Sequence, residues 1–304
     1  MHPDWRLLID SWRLALDADG YSPHTRRTYK AAVDSLAGWL VEHHPTAAPA
    51  DLERAHIRGW LAEVRTTRSV ATARSWIAGV RHFVRFLVAE GEAESDPTEG
   101  VKTPPPADPR TRVLTEAECR RLLAACEGAR FEDRRDAAMV LLFLDAGLRL
   151  GELGGLQVDD VDLVDRTVYV LGKGSARSGP RHRMVPLGTR ATRALDRYLR
   201  ARRRHPAADV GALWLGQRGQ SSLSLDGIDL ALKRRARDAG LRGVHPHLLR
   251  HSWAHHFRAA GGSEGDLMVL GGWRSRQMLD RYGRSGAEQR AASAARRFSL
   301  GDRL

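Results

Sequence analysis

The chain has 304 residues and a formal net charge of +12 at pH 7, because 49 lysines and arginines outnumber 37 acidic residues. This length is typical of about two domains, and the basic balance favours a polyanionic partner. There is no apolar run of the roughly 18 residues that a membrane-spanning helix needs, and the N-terminus lacks the apolar core of a signal peptide. We therefore expect a cytoplasmic protein with no membrane partner. An arginine-biased but functionally neutral surface is the alternative explanation of the charge.

The two cysteines, Cys119 and Cys126, are seven positions apart in the sequence. On one helix their Cα atoms would lie about 10 Å apart, at a rise of about 1.5 Å per residue, which is beyond the reach of a disulfide. We expect both thiols to be reduced and to lie in or near the core, as in cytoplasmic proteins.

The first third of the chain carries apolar residues at helical spacing in four stretches. We predict helices at 4–18, from the N-cap pair Ser22-Pro23 to about His43, at 51–65 and at 69–90. A serine followed by a proline is typical of a helix N-terminus. Four amphipathic helices with short connections predict a compact bundle of about 90 residues.

The polar faces of these helices are rich in arginine, with serine and threonine among the basic residues. This mixture is suited to binding phosphate groups. The candidate DNA-contacting residues are Arg26, Arg27, Lys30, Arg74 and Arg81. A helical bundle with ordinary charged faces is the alternative.

Residues 96–112 are rich in proline and have no apolar period. Three consecutive prolines favour an extended, semi-rigid spacer. We therefore predict a linker here, between a domain at 1–95 and a second domain at 113–304. Two basic domains joined in this way could close around a DNA duplex.

The second domain opens with a capping-box pattern, Thr115-x-x-Glu118, which predicts a helix to about Cys126. A very apolar helix is predicted at 134–147, with Gly147 as its C-cap. Arg149 follows this helix, and Glu152 lies three residues later. The spacing predicts a rigidly held cation, although a purely structural ion pair has the same pattern.

Alternating apolar residues between 157 and 187 predict a small antiparallel sheet. We place its central turn at 171–175, with Lys173 at the tip between two glycines. Exposed turn lysines are common, and the spacing is not that of a nucleotide-binding phosphate loop. Further helices are predicted at 189–204 and 226–239.

The richest stretch runs from His245 to Tyr282. His247 precedes Arg250 by three residues, a Gly-Gly-Trp turn ends at Trp273, and Tyr282 follows nine residues later. An imidazole, an arginine fork and a phenol are suited to attack on a phosphodiester. The alternative for Tyr282 is a tyrosine on a helix surface.

Several histidines in this stretch raise a metal site as a further alternative. His247, His251 and His255 are spaced four residues apart, but no carboxylate or cysteine nearby completes a ligand set. We therefore expect no metal, and we assign His251, His255 and His256 to the core or to the surroundings of the site.

In these motifs the chain resembles the tyrosine recombinases, or phage integrase family, in their short two-domain, Xer-like or integrase form. The motifs are Ala146-Gly-Leu-Arg149-Leu-Gly-Glu152, Gly172-Lys173-Gly174, His247-Leu-Leu-Arg250, Gly271-Gly-Trp273 and Tyr282. The resemblance covers the whole chain. It implies a mainly α-helical fold with a small antiparallel sheet, in which 1–95 is a helical core-binding domain. Residues 113–304 would form the mixed α/β catalytic domain, with a C-terminal tail at 283–304.

Residue by residue, the resemblance implies a catalytic set of Arg149, Lys173, His247, Arg250, Trp273 and Tyr282, with Glu152 in support. Trp273 departs from the commonest pattern, because many members have histidine there. An indole offers an N–H donor but no titratable group, which places more of the proton transfer on Lys173 and His247. No cofactor is expected.

The implied activity is site-specific DNA recombination through a 3′-phosphotyrosyl intermediate, either for integration and excision of a mobile element or for Xer-like dimer resolution. The implied partners are double-stranded DNA with a specific site, a homotetramer on that DNA, and an accessory directionality factor. The tail would dock on a neighbouring protomer, or form a frayed end. Alternatives are a catalytically silent DNA-binding regulator, and a topoisomerase or hairpin resolvase with the same chemistry.

Overall fold

The computed structural model describes residues 2–105, 112–175, 179–217 and 221–273, together with five single residues after 291. For 173–175 and 179–181 it describes the backbone alone. Tyr282 and the predicted docking of the tail lie outside the described residues. The chain forms two compact units, Met1–Pro109 and Arg110–Leu304.

The first unit contains four helices. They are α1 (Pro3–Ala18), α2 (Pro23–His43), α3 (Arg54–Thr67) and α4 (Val70–Ala89). The predicted N-cap is confirmed, because the Ser22 side chain accepts a hydrogen bond from the Thr25 backbone N–H at 3.2 Å. Helix α3 begins three residues later than predicted, since a 3-10 turn at Pro49–Asp51 precedes it.

Aromatic side chains fill the core of this bundle. Trp5, Trp12 and Phe83 are buried, and the rings of Trp12 and Phe83 meet edge-on with centroids 5.2 Å apart. The Trp12 indole N–H donates to His82 Nδ1 at 3.0 Å, so the ring is buried without leaving its polar atom unsatisfied. Large aromatic areas of this kind dominate the burial free energy of a small domain.

The second unit is built from seven helices and three strands within the described ranges. The helices are α5 (Glu116–Ala124), α6 (Phe131–Ala146), α7 (Leu150–Gly154), α8 (Thr189–Arg202), α9 (Leu225–Asp238), α10 (Pro246–Ala259) and α11 (Glu264–Gly271). The strands are β1 (Val161–Asp162), β2 (Thr167–Ser175) and β3 (Gly179–Pro186). They form one antiparallel sheet in the order β1-β2-β3. The predicted fold class, mainly helical with a small antiparallel sheet, is confirmed.

The predicted turn at 171–175 is wrong. These residues belong to β2, where Leu171 pairs with His182 and Gly172 pairs with Arg181. The register shifts between Gly172 and Ser175, and Ser175 pairs with Gly179. The Gly-Lys-Gly sequence therefore marks an irregularity inside a strand, which is another position that glycine favours. Lys173 lies on this irregular part of β2.

Helix α6 is the apolar centre of the second unit, as predicted. Leu142 and Phe143 on this helix are fully enclosed. The capping box is confirmed, because the Thr115 side chain accepts from the Glu118 backbone N–H at 3.2 Å and the Glu118 carboxylate accepts from the Thr115 backbone N–H at 2.9 Å. Cys126 lies just beyond α5 and is buried, and both cysteines are free.

One end of α6 carries a buried ion cluster, which we call the Asp136 cluster: Asp136, Arg135, Arg234 and Arg235. Asp136 Oδ1 accepts from Arg135 Nε at 3.0 Å and Nη2 at 2.8 Å. Its Oδ2 accepts from Arg234 at 2.9 Å and from Arg235 at 2.8 Å. The cluster joins α6 to α9. In the parts of the chain that the structure describes, no helix has both the length and the apolar character to cross a bilayer.

Candidate active site

The first candidate arginine follows a helix end that requires glycine. Gly147 ends α6 with a φ of 56°, a left-handed conformation that side chains disfavour. A Cβ atom at Gly147 would also lie 2.0 Å from the Trp253 ring. The chain can therefore turn tightly under Trp253 and place Arg149 at the N-terminus of α7, where its backbone N–H donates to Glu152 Oε2 at 2.8 Å.

Glu152 is the centre of a second ion cluster, which we call the Glu152 cluster: Glu152, Arg149, Arg183 and Arg250. Arg149 Nη1 donates to Glu152 Oε1 at 2.6 Å. Arg183 donates to both carboxylate oxygens, at 3.0 and 2.8 Å. Arg250 Nη1 lies 3.9 Å from Oε2. Burial alone would raise the pKa of Glu152, but hydrogen bonds and positive charge from Arg183 and Arg149 lower it to about 2.

The same three arginines reach the C-terminal end of α11. Arg183 Nε donates to the Leu270 carbonyl at 2.9 Å, Arg250 Nη2 to the Gly271 carbonyl at 2.6 Å, and Arg149 Nη2 to the Gly272 carbonyl at 3.4 Å. Carbonyls at a helix C-terminus lack partners within the helix and carry partial negative charge. The carbonyl groups at the end of α11 therefore bind three arginine side chains.

Trp273 packs over the most enclosed of these arginines. The Arg250 guanidinium carbon lies 4.5 Å from the Trp273 ring centroid, which is cation–π geometry. The Arg250 side chain is 1% exposed, whereas that of Arg149 is 35% exposed. The described structure therefore brings four of the predicted residues together, namely Arg149, Glu152, Arg250 and Trp273. Arg149 is the more accessible of the two predicted catalytic arginines.

His247 lies in the first turn of α10, one turn before His251, and the two ring centroids are 4.9 Å apart. Burial lowers the pKa of His247, and the charges of Arg250, His245 and Arg149 lower it further. Burial and the neighbouring His247, His245 and Arg250 lower the pKa of His251 to about 4. Both imidazoles are therefore neutral at pH 7.

Two other predicted residues are placed less fully. Lys173 lies in β2, whose partner strand β3 carries Arg183, and the structure describes its backbone alone. Tyr282 lies outside the described residues, nine positions after Trp273.

Arg183 is not among the residues predicted from motifs, although its position in the sequence contains a signal. Arg183, Val185 and Leu187 alternate along β3 and its end, and all three face inward, whereas His182 and Met184 are exposed. An arginine on the apolar face of a strand requires a buried acceptor, and Glu152 is that acceptor.

The five candidate DNA-contacting residues lie in the first unit with different partners. Arg26 pairs with Asp17, Lys30 pairs with Asp34 at 2.6 Å, and Arg27 is exposed. A groove of about 690 Å³ between α1 and α2 is lined by these three basic residues together with Arg13 and two aspartates. The groove therefore combines four basic side chains with two carboxylates.

Arg74 and Arg81 contact the chain that leaves the bundle. Arg74 donates to the Pro104 carbonyl, and Arg81 donates to the Val101 carbonyl and to Thr103 Oγ1, the latter at 2.6 Å. Both arginines therefore hold residues 101–104 against α4. No three histidine, cysteine, aspartate or glutamate side chains among the described residues are arranged to hold a metal ion.

Comparison with known proteins gives the class of the chain. Residues 112–289 match the phage integrase family model, and residues 9–91 match the phage integrase N-terminal SAM-like domain. The chain therefore belongs to the phage integrase family, the tyrosine recombinases, and is a site-specific recombinase.

Two relatives show the extent of the match. The tyrosine recombinase XerC of Pseudomonas fluorescens is 35% identical over 244 residues, which cover 77% of this chain and 76% of the relative. The tyrosine recombinase XerD of Listeria monocytogenes is 31% identical over 263 residues, covering 84% and 86%.

Two solved structures share the fold. A lambda integrase dimer bound to a COC′ core site has a TM-score of 0.71 at 18% identity, covering 92% of this chain and 95% of the other. A lambda integrase tetramer bound to a Holliday junction has a TM-score of 0.67 at 19% identity, covering 89% and 77%.

Proposed function

We propose that Tyr282 is the nucleophile of the recombination reaction. Its phenolic oxygen attacks the scissile phosphorus, the bond from phosphorus to the 5′ oxygen breaks, and a 3′-phosphotyrosyl linkage and a free 5′-hydroxyl result. The linkage preserves the free energy of the phosphodiester for rejoining. The observation that carries the proposal is the group of arginines that binds Glu152 and the end of α11; Tyr282 follows eleven positions after Gly271, the last residue of α11.

Arg149 and Arg250 have the role of stabilising charge on the phosphate in the transition state. Planar guanidinium forks match phosphate oxygens, and donors fixed in advance need no reorganisation during the reaction. Glu152 fixes Arg149 at 2.6 Å. Trp273 packs on Arg250 and supplies an indole N–H for a non-bridging oxygen.

Proton transfer falls to His247 and Lys173. The pKa of His247 is lowered, first by burial and then by nearby cations, so its imidazole is neutral and suited to accept the proton of Tyr282. Lys173, on the irregular part of β2, is assigned as the acid for the leaving 5′ oxygen. The arginines supply the positive charge, so the proposed steps use side chains and no cofactor.

The same steps in reverse complete the exchange. A 5′-hydroxyl of the partner duplex attacks the phosphotyrosine, which restores the DNA bond and frees Tyr282. We assign 1–95 as the core-binding domain, 96–112 as the linker and 113–304 as the catalytic domain. Arg26, Arg27 and Lys30 contact phosphates directly. Arg74 and Arg81 also contact the DNA, and they hold residues 101–104 at the same time.

The proposed partner is double-stranded DNA with a specific recombination site, bound in the cytoplasm by a homotetramer. The support is the lambda integrase tetramer bound to a Holliday junction, which has the same fold. The tail at 283–304 docks on the neighbouring protomer, and an accessory factor sets the direction. The event served is Xer-like dimer resolution or the integration and excision of a mobile element; support for the former is that the relatives are named XerC and XerD.

A nicked suicide duplex tests the proposal. Duplexes selected from random sequence by Tyr282→Phe, which keeps the ring and lacks the hydroxyl, supply the binding site for the substrate. The wild-type protein should form a covalent adduct that survives a denaturing gel, and Tyr282→Phe should bind equally well and form none. Binding without an adduct in the wild type would instead support the catalytically silent regulator. Relaxation of plasmids lacking the selected site would support a topoisomerase.

A further inference from the structure

Arg183 contacts three parts of the active site at once. It lies in β3, with its side chain 12% exposed. Two of its nitrogens donate to the two oxygens of Glu152, at 3.0 and 2.8 Å, and the third donates to the Leu270 carbonyl at 2.9 Å. One planar side chain thus joins β3, α7 and the end of α11.

The two bonds to Glu152 fix the carboxylate that holds Arg149. Glu152 accepts from the side chain and from the backbone of Arg149, at 2.6 and 2.8 Å. A carboxylate bound by one bidentate arginine cannot rotate without breaking both bonds. The direction of the Arg149 guanidinium therefore depends, through Glu152, on Arg183, which is distant from Arg149 in the sequence.

The third bond orders the turn that follows α11. The carbonyls of 270, 271 and 272 accept in sequence from Arg183, Arg250 and Arg149. Gly272 has a φ of 62°, and a Cβ atom there would lie 3.2 Å from Arg183 Nη1. The turn leading to Trp273 therefore lies directly against the Arg183 guanidinium.

We propose that Arg183 is a positioning residue for strand cleavage, acting through Glu152 and the 270–272 turn and not by contact with the phosphate. Each of its three nitrogens donates to an oxygen of the protein. The role requires arginine, because a lysine ammonium is a compact charge that does not reproduce the planar fork. The inference rests on the proposed function of Tyr282 and Arg149, and it adds a residue on the strand paired with the one that carries Lys173.

The test compares Arg183→Lys with Arg200→Lys. The control also replaces an arginine by lysine and keeps the charge, but Arg200 is 62% exposed and pairs with Asp196 on the surface of α8. The readout is the single-turnover rate of adduct formation on the nicked duplex, at saturating DNA and well below the melting temperature of each variant. DNA affinity is measured separately in the Tyr282→Phe background.

Arg183→Lys should slow adduct formation by about tenfold or more, on the scale that small misplacements of catalytic groups cost. Its DNA affinity should stay within about twofold of wild type, and Arg200→Lys should react at the wild-type rate. In a double-mutant cycle, Arg183→Lys and Glu152→Gln should be strongly non-additive, because they act through one pair of bonds.

An unchanged rate in Arg183→Lys would overturn the inference, as would a slowing fully explained by weaker DNA binding or by a smaller folded fraction. If Arg183→Lys does not fold, Arg183→Gln, which keeps an amide donor, is measured against the same two outcomes. Absence of an adduct in the wild type would overturn the proposed function together with the inference. An adduct in the wild type and equal rates in the variant would overturn the inference alone.

Discussion

The Asp136 and Glu152 clusters have similar compositions and different surroundings. Each consists of one carboxylate, 1% and 3% exposed respectively, with three arginines around it. In the Asp136 cluster the remaining donors bind structural acceptors: Arg135 donates to the Leu215 carbonyl at 3.0 Å, and Arg235 donates to the Ala125 carbonyl at 2.9 Å and to a second carboxylate, Asp133, at 2.7 Å. These bonds fasten α9 and two chain segments to α6.

In the Glu152 cluster the remaining donors bind the end of α11, beside Trp273 and near His247. A buried carboxylate with three arginines is therefore compatible with a structural role or with a catalytic one. What distinguishes the two roles is the set of groups beyond the ion pairs. We expect substitutions in the first cluster to affect stability, and substitutions in the second to affect the rate.

The largest difference should appear with Arg149→Ala. Loss of one fixed donor to a developing oxyanion costs on the order of 10²–10³ in rate, so the single-turnover rate of adduct formation should fall by about that factor. Because Arg149 is 35% exposed and Arg183 still holds Glu152, the free energy of unfolding should change little. A near wild-type rate on the nicked duplex would contradict the catalytic assignment of this cluster.

Asp136→Ala is the matching change in the other cluster. It leaves Arg135 buried without its carboxylate, whereas Arg235 keeps its bond to Asp133 at 2.7 Å; removing one partner of a buried ion pair costs on the order of 3–5 kcal/mol of unfolding free energy. Urea unfolding measures this directly. The adduct rate per folded molecule should equal that of the wild type at saturating DNA. If Asp136→Ala stays stable but reacts slowly, the Asp136 cluster does not have the purely structural role that we assign to it.

Acid pH should have a smaller effect, at His251, which lies near Arg250 of the Glu152 cluster. Burial and its cationic neighbours lower the pKa of His251 to about 4, whereas an unfolded histidine titrates near 6.5. Between these values the unfolded chain binds more protons, so the unfolding free energy should fall as pH falls from about 6.5 to 4, by roughly 3 kcal/mol at most.

His251→Asn should flatten this part of the pH profile, and Asp136→Ala should leave its slope unchanged. Chemical denaturation at half-unit pH steps is the measurement. His247 contributes in the same direction, because its pKa is also lowered, so part of the slope should remain in His251→Asn. An identical pH dependence of the unfolding free energy in the wild type and in His251→Asn would contradict the lowered pKa of His251.

Much of the fold follows from local sequence signals. The period of apolar residues predicts the α4 core positions Ile77, Val80 and Phe83, all of which are buried. Ser22 and Thr115 are caps because short polar side chains reach the free backbone N–H groups of the first turn. The pairing of Arg149 with Glu152 also follows from spacing alone.

The remaining features depend on contacts between segments distant in sequence. Gly172 and Gly174 are compatible with a turn and with a strand irregularity, because glycine favours both, and the pairing of β2 with β3 decides between them. Arg183 acquires its role from Glu152 and from the carbonyl of Leu270, 31 and 87 residues away. The contacts of Arg74 and Arg81 with residues 101–104 depend on the return of this segment to α4, which the sequence does not reveal.

The most direct measurement identifies the residue that carries the DNA. Trypsin cleaves after Arg281 and after Arg284, so Tyr282 lies in the short peptide Tyr-Gly-Arg. After nuclease digestion of the adduct, mass spectrometry should find this tripeptide with a nucleotide joined through a 3′ phosphate to Tyr282. A nucleotide on another peptide would contradict the account.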